Sequence, residues 1–246
     1  MASSRARATN VDGARVTPNA TGQPIGDLVA ERPSRARIFE QLGIDYCCGG
    51  RRTLREACGE RGLDAATVAE LIDAPPSEPG LIGSDWSQAT LAELCDHIVD
   101  IHHAYLRREL PRLTELLEKC ERAHAAERPE LSETRATFER LRMELEQHLA
   151  AEERALFPAC RKLTEGQPLD PALVNSLECF AAEHAGTGAS LQRLSELTHR
   201  YDLDAALCNT HRATIEALAE LERDLHEHIH EENNILFPRL LATTRP

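Results

Sequence analysis

The sequence predicts an all-α protein: a small N-terminal helical domain followed by an up-down-up-down four-helix bundle. Three observations predict this. Charged residues make up 28 % of the 246-residue chain and aromatics only 4 %, with Leu, Ala, Glu and Arg dominant, a composition that favours helix over strand. From about residue 88 onward, apolar residues recur at alternating steps of three and four, the spacing of a helix with one buried stripe. Ahead of that zone, caps and glycine stops bracket shorter segments. The length accommodates two modest domains, each with its own core.

The elements follow in order. Residues 1–22, "MASSRARATNVDGARVTPNATG", lack the apolar run of a secretory signal and read as a disordered tail. Residues 23–74 form the small domain. Its segment "SRARIFEQLG" runs from a Ser34 cap to a Gly43 stop, "TLREACGERG" from Thr53 to near Gly62, and "DAATVAELIDA" from Asp64. Between the first two lies "DYCCGG" (45–50), where Cys47 and Cys48 are adjacent and precede two glycines. Residues 75–87, rich in Pro and Gly, form a linker. Residues 88–246 hold the bundle, with breaks at Pro129, at "GQPLDP" (166–171) and around Tyr201–Leu203.

Each bundle helix carries one stripe. The first reads Val99, His103, Leu106, Leu110, Leu113, Leu117, Cys120. The second reads Leu131, Thr134, Phe138, Leu141, Leu145, His148, Glu152. The third reads Val174, Leu177, Ala181, His184, Thr187, Leu191, Leu194. The fourth reads Leu207, His211, Thr214, Leu218, Leu221, Leu225, His228, Glu232, Ile235. Imidazoles and carboxylates on such positions need partners, because burying them unpaired costs several kcal/mol each.

Composition excludes some functions. A net charge of −13 argues against nucleic acid, which requires a basic face. No run of 18 apolar residues exists, so no membrane span is expected. Apart from the adjacent pair, the cysteines are scattered and no CxxC occurs. A reduced cytoplasm without structural disulfides is the expectation.

"HLAAEERALFP" (148–158) and "HIHEENNILFP" (228–238) are one module twice. The pairs His148/Glu152 and His228/Glu232 are i,i+4 and so share a helix face. Imidazole and carboxylate together suit iron, manganese or zinc. His103 precedes His148 by 45 residues and His184 precedes His228 by 44. In an up-down-up-down bundle these matched spacings bring all four His to one level. Four His and two Glu then make a balanced set for two metals, with two His on each and both Glu bridging. His102, His226 and His230 point 100° or more from the ligand on their helix and read as surface residues. His97 is left as a residue behind the ligands, and His211 as structural. The rival Glu-x-x-His pairs, Glu121/His124 and Glu196/His199, lie toward helix ends and are set aside. Glu144, one turn before His148, and Glu183, next to His184, are either solvated face or groups that orient ligands and pass protons or ions.

Together, "DYCCGG", the "DW" of the linker, "HLAAEERALFP", "EH" (183–184) and "HEENNILFP" resemble the RIC family, the di-iron proteins that repair iron–sulfur clusters. The resemblance runs from about residue 24 to the end. It implies a hemerythrin-like bundle with two non-haem irons per chain, expected to be oxo-bridged, on His103, His148, Glu152, His184, His228 and Glu232. It further implies repair of clusters damaged by nitric oxide or peroxide, a cytoplasmic setting, damaged iron–sulfur proteins and nitric oxide as partners, and a homodimer. The family's two cysteines map onto Cys47 and Cys48, for which redox exchange, thiol relay or binding of an iron–nitrosyl species are the candidate roles. The helix start near Thr53 is expected to lower their pKa. Competing readings are an O2 or nitric oxide sensor or carrier, and a nitric oxide reductase or peroxidase using an external electron donor.

Overall fold

The computed structural model describes residues 20–74, 86, 88–167 and 171–243. Most of the expected tail, most of the linker and the middle of the "GQPLDP" break lie outside them. Among the described residues there is no β-strand, only an isolated antiparallel bridge between Pro24 and Thr53.

A 3-10 turn at Ala20–Gly22 opens the small domain, and Ala20 is buried, so folded chain begins ahead of residue 23. The helices α1 (Ile25–Glu31), α2 (Ala36–Gln41), α3 (Leu54–Glu60) and α4 (Ala65–Asp73) follow. Thr53 caps α3 in a reciprocal capping box with Glu56, and Asp64 caps α4 through the Thr67 amide. Gly43 and Gly62 end their helices at φ +66°. The expected Ser34 cap is absent. Pro33 presets the backbone for a 3-10 turn at Pro33–Arg35, so Ser34 lies inside that turn and no side chain caps α2. Ile25, Leu28, Phe39, Tyr46, Leu54 and Ile72 fill the core. The buried Arg35 ties α1 to α4, donating to Leu28 O at 2.8 Å and to Asp73 Oδ1 at 2.9 Å.

The bundle has four rods. The first is α5 (Leu91–His97), capped by a Thr90–Glu93 box, a π-helical turn at Ile98–His103, and α6 (Ala104–His124). The second is α7 (Glu130–Ala151), a π turn at Glu152–Leu156, and α8 (Phe157–Thr164). The third is α9 (Pro171–Leu197). The fourth is α10 (Asn209–His230), a π turn at Glu231–Leu236, and α11 (Phe237–Thr243). α6 packs on α7 and α10, and α9 packs on the same two. Sequence neighbours are thus spatial neighbours, as the up-down-up-down prediction requires. The break near Tyr201 is a turn in which His199, Arg200 and Tyr201 all take left-handed φ of 53–61°.

Two apolar layers divide the bundle along its length. Leu106, Leu110, Phe138, Leu145, Leu221 and Leu225 belong to one. Ile98, Leu156, Phe157, Phe180, Leu236 and Phe237 belong to the other. His103, His148, Glu152, His184, His228 and Glu232 of the four stripes meet in two overlapping groups.

The π turns are not visible in the periodicity. Such a turn holds an extra residue, so successive side chains swing through a smaller angle and two neighbours can both face the core. That is why His102, expected on the surface, is 2 % exposed beside His103. In each Leu-Phe-Pro motif the proline, Pro158 or Pro238, is the second residue of the α-helix after the π turn. Its missing N–H is tolerated there.

The small domain covers one face of the fourth rod. Ile229 belongs to the small domain's own core. Asn234 Nδ2 donates to Cys47 O at 3.0 Å and to Tyr46 O at 3.3 Å. Gly26 and Gly50 permit this approach. A Cβ at either would come within 2.3 Å or less of Asn234 Oδ1. His230, also expected on the surface, is 5 % exposed because the Tyr46 ring lies edge-on to it at 5.4 Å. His226 is half-buried beside the same ring.

Candidate metal centre

His103 comes from the last residue of the first π turn, Glu152 and Glu232 from the other two, His148 and His228 from the ends of α7 and α10, and His184 from the middle of α9. All six sequence-selected residues converge. Glu152 lies 3.3 Å from His103 Nε2 through Oε2 and 2.9 Å from His148 Nε2 through Oε1. Glu232 lies 3.1 Å from His184 Nε2 and 3.4 Å from His228 Nε2. The donor atoms form two overlapping groups. One is His103, His228 and both glutamates, the other His148, His184 and both glutamates. Each carboxylate therefore belongs to both groups, as two bridging ligands do.

The donor chemistry fits metal ions. Both glutamates are fully buried, yet none of their four carboxylate oxygens accepts a hydrogen bond, and His103 Nε2 and both nitrogens of His228 are likewise unpartnered. Buried carboxylates in such a state are costly. Burial and the neighbouring Glu232 push Glu152 up to about 8. Burial also opposes the charge on Glu232, but His228 and His184 outweigh it and hold that carboxyl well below the usual range. Burial depresses His228, leaving a neutral imidazole of the kind a metal binds. Metal ions held by these residues would satisfy the four carboxylate oxygens, His103 Nε2 and His228 Nε2.

Three ligands are oriented from behind. His103 Nδ1 meets Glu153 Oε1 at 2.6 Å, and Arg107 pairs with the same carboxylate. His148 Nδ1 meets Glu183 Oε2 at 2.7 Å, and His184 Nδ1 meets Asn233 Oδ1 at 2.9 Å. These contacts place the Nδ1 proton outward and aim Nε2 at the centre. Phe157, Phe180 and Phe237 pack on His103, His148 and His184, which excludes water on that side.

Glu183 thus meets the outer nitrogen of His148, and its carboxylate is half-exposed. Glu144 does not reach the site. It is exposed, because Leu141 and Leu145 occupy the core side of α7 at that level. Glu153, Asn233 and Asn234 were missed. The doubled acid inside the first module and the doubled amide inside the second, "EE" and "NN", were the available signal. His211 is structural as expected, its Nδ1 accepting from the Leu207 amide at 3.2 Å.

A second cluster lies beside the first. His102 Nδ1 contacts Asp224 Oδ1 at 2.9 Å, and Glu231 lies 3.2 Å from His97 Nε2 and 3.6 Å from His102 Nε2. Burial opposes a charge on His102, but Asp224 and Glu231 push it to about 10. His97, left as a residue behind the ligands, touches none of the six.

The thiol pair lies against the centre. Cys48 Sγ is 3.4 Å from the carbonyl oxygen of His184, and Cys47 Sγ is 3.8 Å from Cys48 Sγ. Asn233, which holds His184, also donates to Cys47 O at 3.4 Å. The two thiols diverge in acidity. The hydrogen bond to Cys48, burial and Asp45 push Cys47 well up, whereas the hydrogen bond from Cys47 lowers Cys48. The expected lowering of both thiols by the start of α3 is not found, because the hydrogen bond to Cys48 and burial dominate at Cys47.

Comparison with known proteins agrees with this architecture. Residues 21–75 match a family model described as a domain of unknown function, DUF542. Residues 96–240 match the hemerythrin HHE cation binding domain. The iron–sulfur cluster repair protein YtfE of Citrobacter koseri is 35 % identical over 225 residues, covering 89 % of this chain and 97 % of that protein. Its counterparts in Pectobacterium carotovorum subsp. carotovorum and Escherichia coli O157:H7 are each 34 % identical over 221 residues, covering 89 % of this chain and 96 % and 97 % of theirs. The thiol loop docked on a hemerythrin-type bundle, and relatives matched over nearly their whole length, place the chain in the family of iron–sulfur cluster repair proteins.

Proposed function

We propose that the protein repairs iron–sulfur clusters damaged by nitric oxide or oxidative stress, using two irons held by His103, His148, Glu152, His184, His228 and Glu232. The observation that carries this is the pair of fully buried carboxylates with no hydrogen-bond partner, each facing two imidazoles. When bound, the irons supply a redox-active centre that can bind nitric oxide and part with iron. The chain's own residues do the rest. Glu153, Glu183 and Asn233 fix the tautomers of three imidazoles, the phenylalanines exclude water, and Glu183 connects His148 to solvent for proton movement. Cys47 and Cys48 stand beside His184, positioned for thiol exchange with whatever the centre binds. A simple carrier or sensor of O2 or nitric oxide needs no such pair. Damaged iron–sulfur proteins as targets, an oxo-bridged resting state, a cytoplasmic setting and a homodimer complete the reading.

The test is metal analysis of purified protein, followed by anaerobic reactivation of an iron–sulfur enzyme damaged with nitric oxide. About two irons per chain and restored enzyme activity are expected. One zinc per chain from iron-replete cells, or no reactivation by iron-loaded protein, overturns the proposal. Headspace nitrous oxide measured in the same vessel separates repair from nitric oxide reduction.

A further inference from the structure

We propose that His97, His102 and Glu231 form a third metal site, which takes an exchangeable ferrous ion beside the central pair. Ligand atoms of these three residues all lie within 4.8 Å of one another. Two imidazoles and one carboxylate are the donor set that holds ferrous iron with coordination positions left open.

The cluster is aimed. His102 is 2 % exposed, and Asp224 holds its Nδ1 at 2.9 Å, so Nε2 faces Glu231. At 3.6 Å that approach is too long for a hydrogen bond. His102 Nε2, Glu231 Oε2 and Asp224 Oδ2 are all buried without a hydrogen-bond partner. His102 Nε2 and Glu231 Oε2 thus face each other across 3.6 Å, both buried and without a hydrogen-bond partner, which is costly unless something binds both. Asp224 behind His102 completes the carboxylate–histidine–metal arrangement seen behind many metal-binding imidazoles.

Position makes the site exchangeable. The His97 side chain is 19 % exposed, whereas the four central imidazoles are at most 7 % exposed. Trp86 stacks on His97 at 4.1 Å, its ring plane tilted by 27°, so an indole marks the outer wall. On the inner side, His102 stacks parallel on His228 at 5.3 Å, and Glu231 adjoins Glu232. The third site lies between the partly exposed His97 and the central residue His228. The inference rests on the two-iron reading for the identity of the metal.

The test uses the full chain stripped of metal and titrated anaerobically with ferrous iron. Bound iron is read by dialysis, and emission is read from Trp86, the single tryptophan. Three equivalents are expected. One of them should quench Trp86, as a paramagnetic ion on its stacked partner does, and a brief chelator pulse should remove that equivalent first and restore the emission. His97→Ala and Glu231→Gln should each bind two equivalents and lose the chelator-fast phase, while Cys47→Ser/Cys48→Ser keeps all three. Two equivalents without quenching in the wild type, or a fast third equivalent persisting in both His97→Ala and Glu231→Gln, overturns the proposal. Loss of the slow pair from wild type, with the quenching equivalent kept, refutes the two-iron centre instead and leaves the third site standing.

Discussion

Gly26→Ala should change sign with the residue at position 234. A Cβ on Gly26 would meet Asn234 Oδ1 at 2.3 Å, Cγ at 2.6 Å and Cβ at 3.2 Å, so the amide must move out. It then loses its bonds to Cys47 O and Tyr46 O, each worth about 1 kcal/mol. Alanine in place of glycine in α1 returns about 0.5–1 kcal/mol. The net is a loss of roughly 1 kcal/mol. In an Asn234→Ala background both hydrogen bonds are already gone. Only a Cβ contact at 3.2 Å remains, which a shift of a few tenths of an ångström relieves. There Gly26→Ala should stabilise by about 0.5–1 kcal/mol. The double-mutant cycle thus has a coupling of about 2 kcal/mol. Urea unfolding of the four proteins gives the energies, and hydrogen exchange at α1 amides locates them in the small domain. The same sign for Gly26→Ala in both backgrounds would refute the account of Asn234 as the peg that holds the two domains together.

Glu152→Ala and Glu232→Ala should each weaken iron binding by more than about tenfold while far-ultraviolet dichroism stays helical; unchanged iron content in both would show that the carboxylates are not bridges. Glu222→Gln tests a pH effect distant from the metals. Burial raises Glu222 to about 7 from an ordinary 4.5, so the folded protein holds a proton that the unfolded chain releases. Stability is therefore lost as pH rises from about 4.5 to 7, by about 2 kcal/mol after allowing for partial exposure. The Gln variant should exceed wild type at pH 8 and match it at pH 4 in thermal unfolding, and equal stability at pH 8 counts against the assignment. Cys47→Ser/Cys48→Ser should keep its iron and lose cluster repair. Wild-type repair rates at normal iron content would remove the thiols from the function.

The bundle was legible because its signal is local. Leu106, Leu110, Leu113 and Leu117 repeat at helical spacing, as do their counterparts on the other helices, and the His or His–Glu breaks of the four stripes converge at one site. That alignment alone brought out His103, His148, Glu152, His184, His228 and Glu232. The errors arose where a straight, isolated helix was assumed. His102 was assigned outward by its angle to His103, but a π turn narrows that angle and Asp224, His228 and Glu231 of the fourth rod pack over it. His230 was assigned outward because nothing in α10 announces that Tyr46 will cover it. Periodicity describes one element at a time and carries no record of which domain docks on which face. Glu153 and Asn233 were missed for a related reason, since both act through a side chain on another helix. Glu144 was left open between solvated face and orienting group, and its exposure selects the former, since a one-turn offset along the sequence does not say which edge of the stripe a residue occupies.

Asn233 has a consequence for regulation. Its amide accepts from His184 and donates to the backbone of Cys47, so one side chain serves both domains. By thermodynamic reciprocity, whatever the thiol loop contributes to metal affinity, metal contributes equally to keeping the loop in place. A thiol that is oxidised, nitrosylated or engaged by a client protein alters the loop, and through Asn233 it alters the hold on His184. A change in the thiol loop is thus felt at His184, and a change in what His184 binds is felt at the loop.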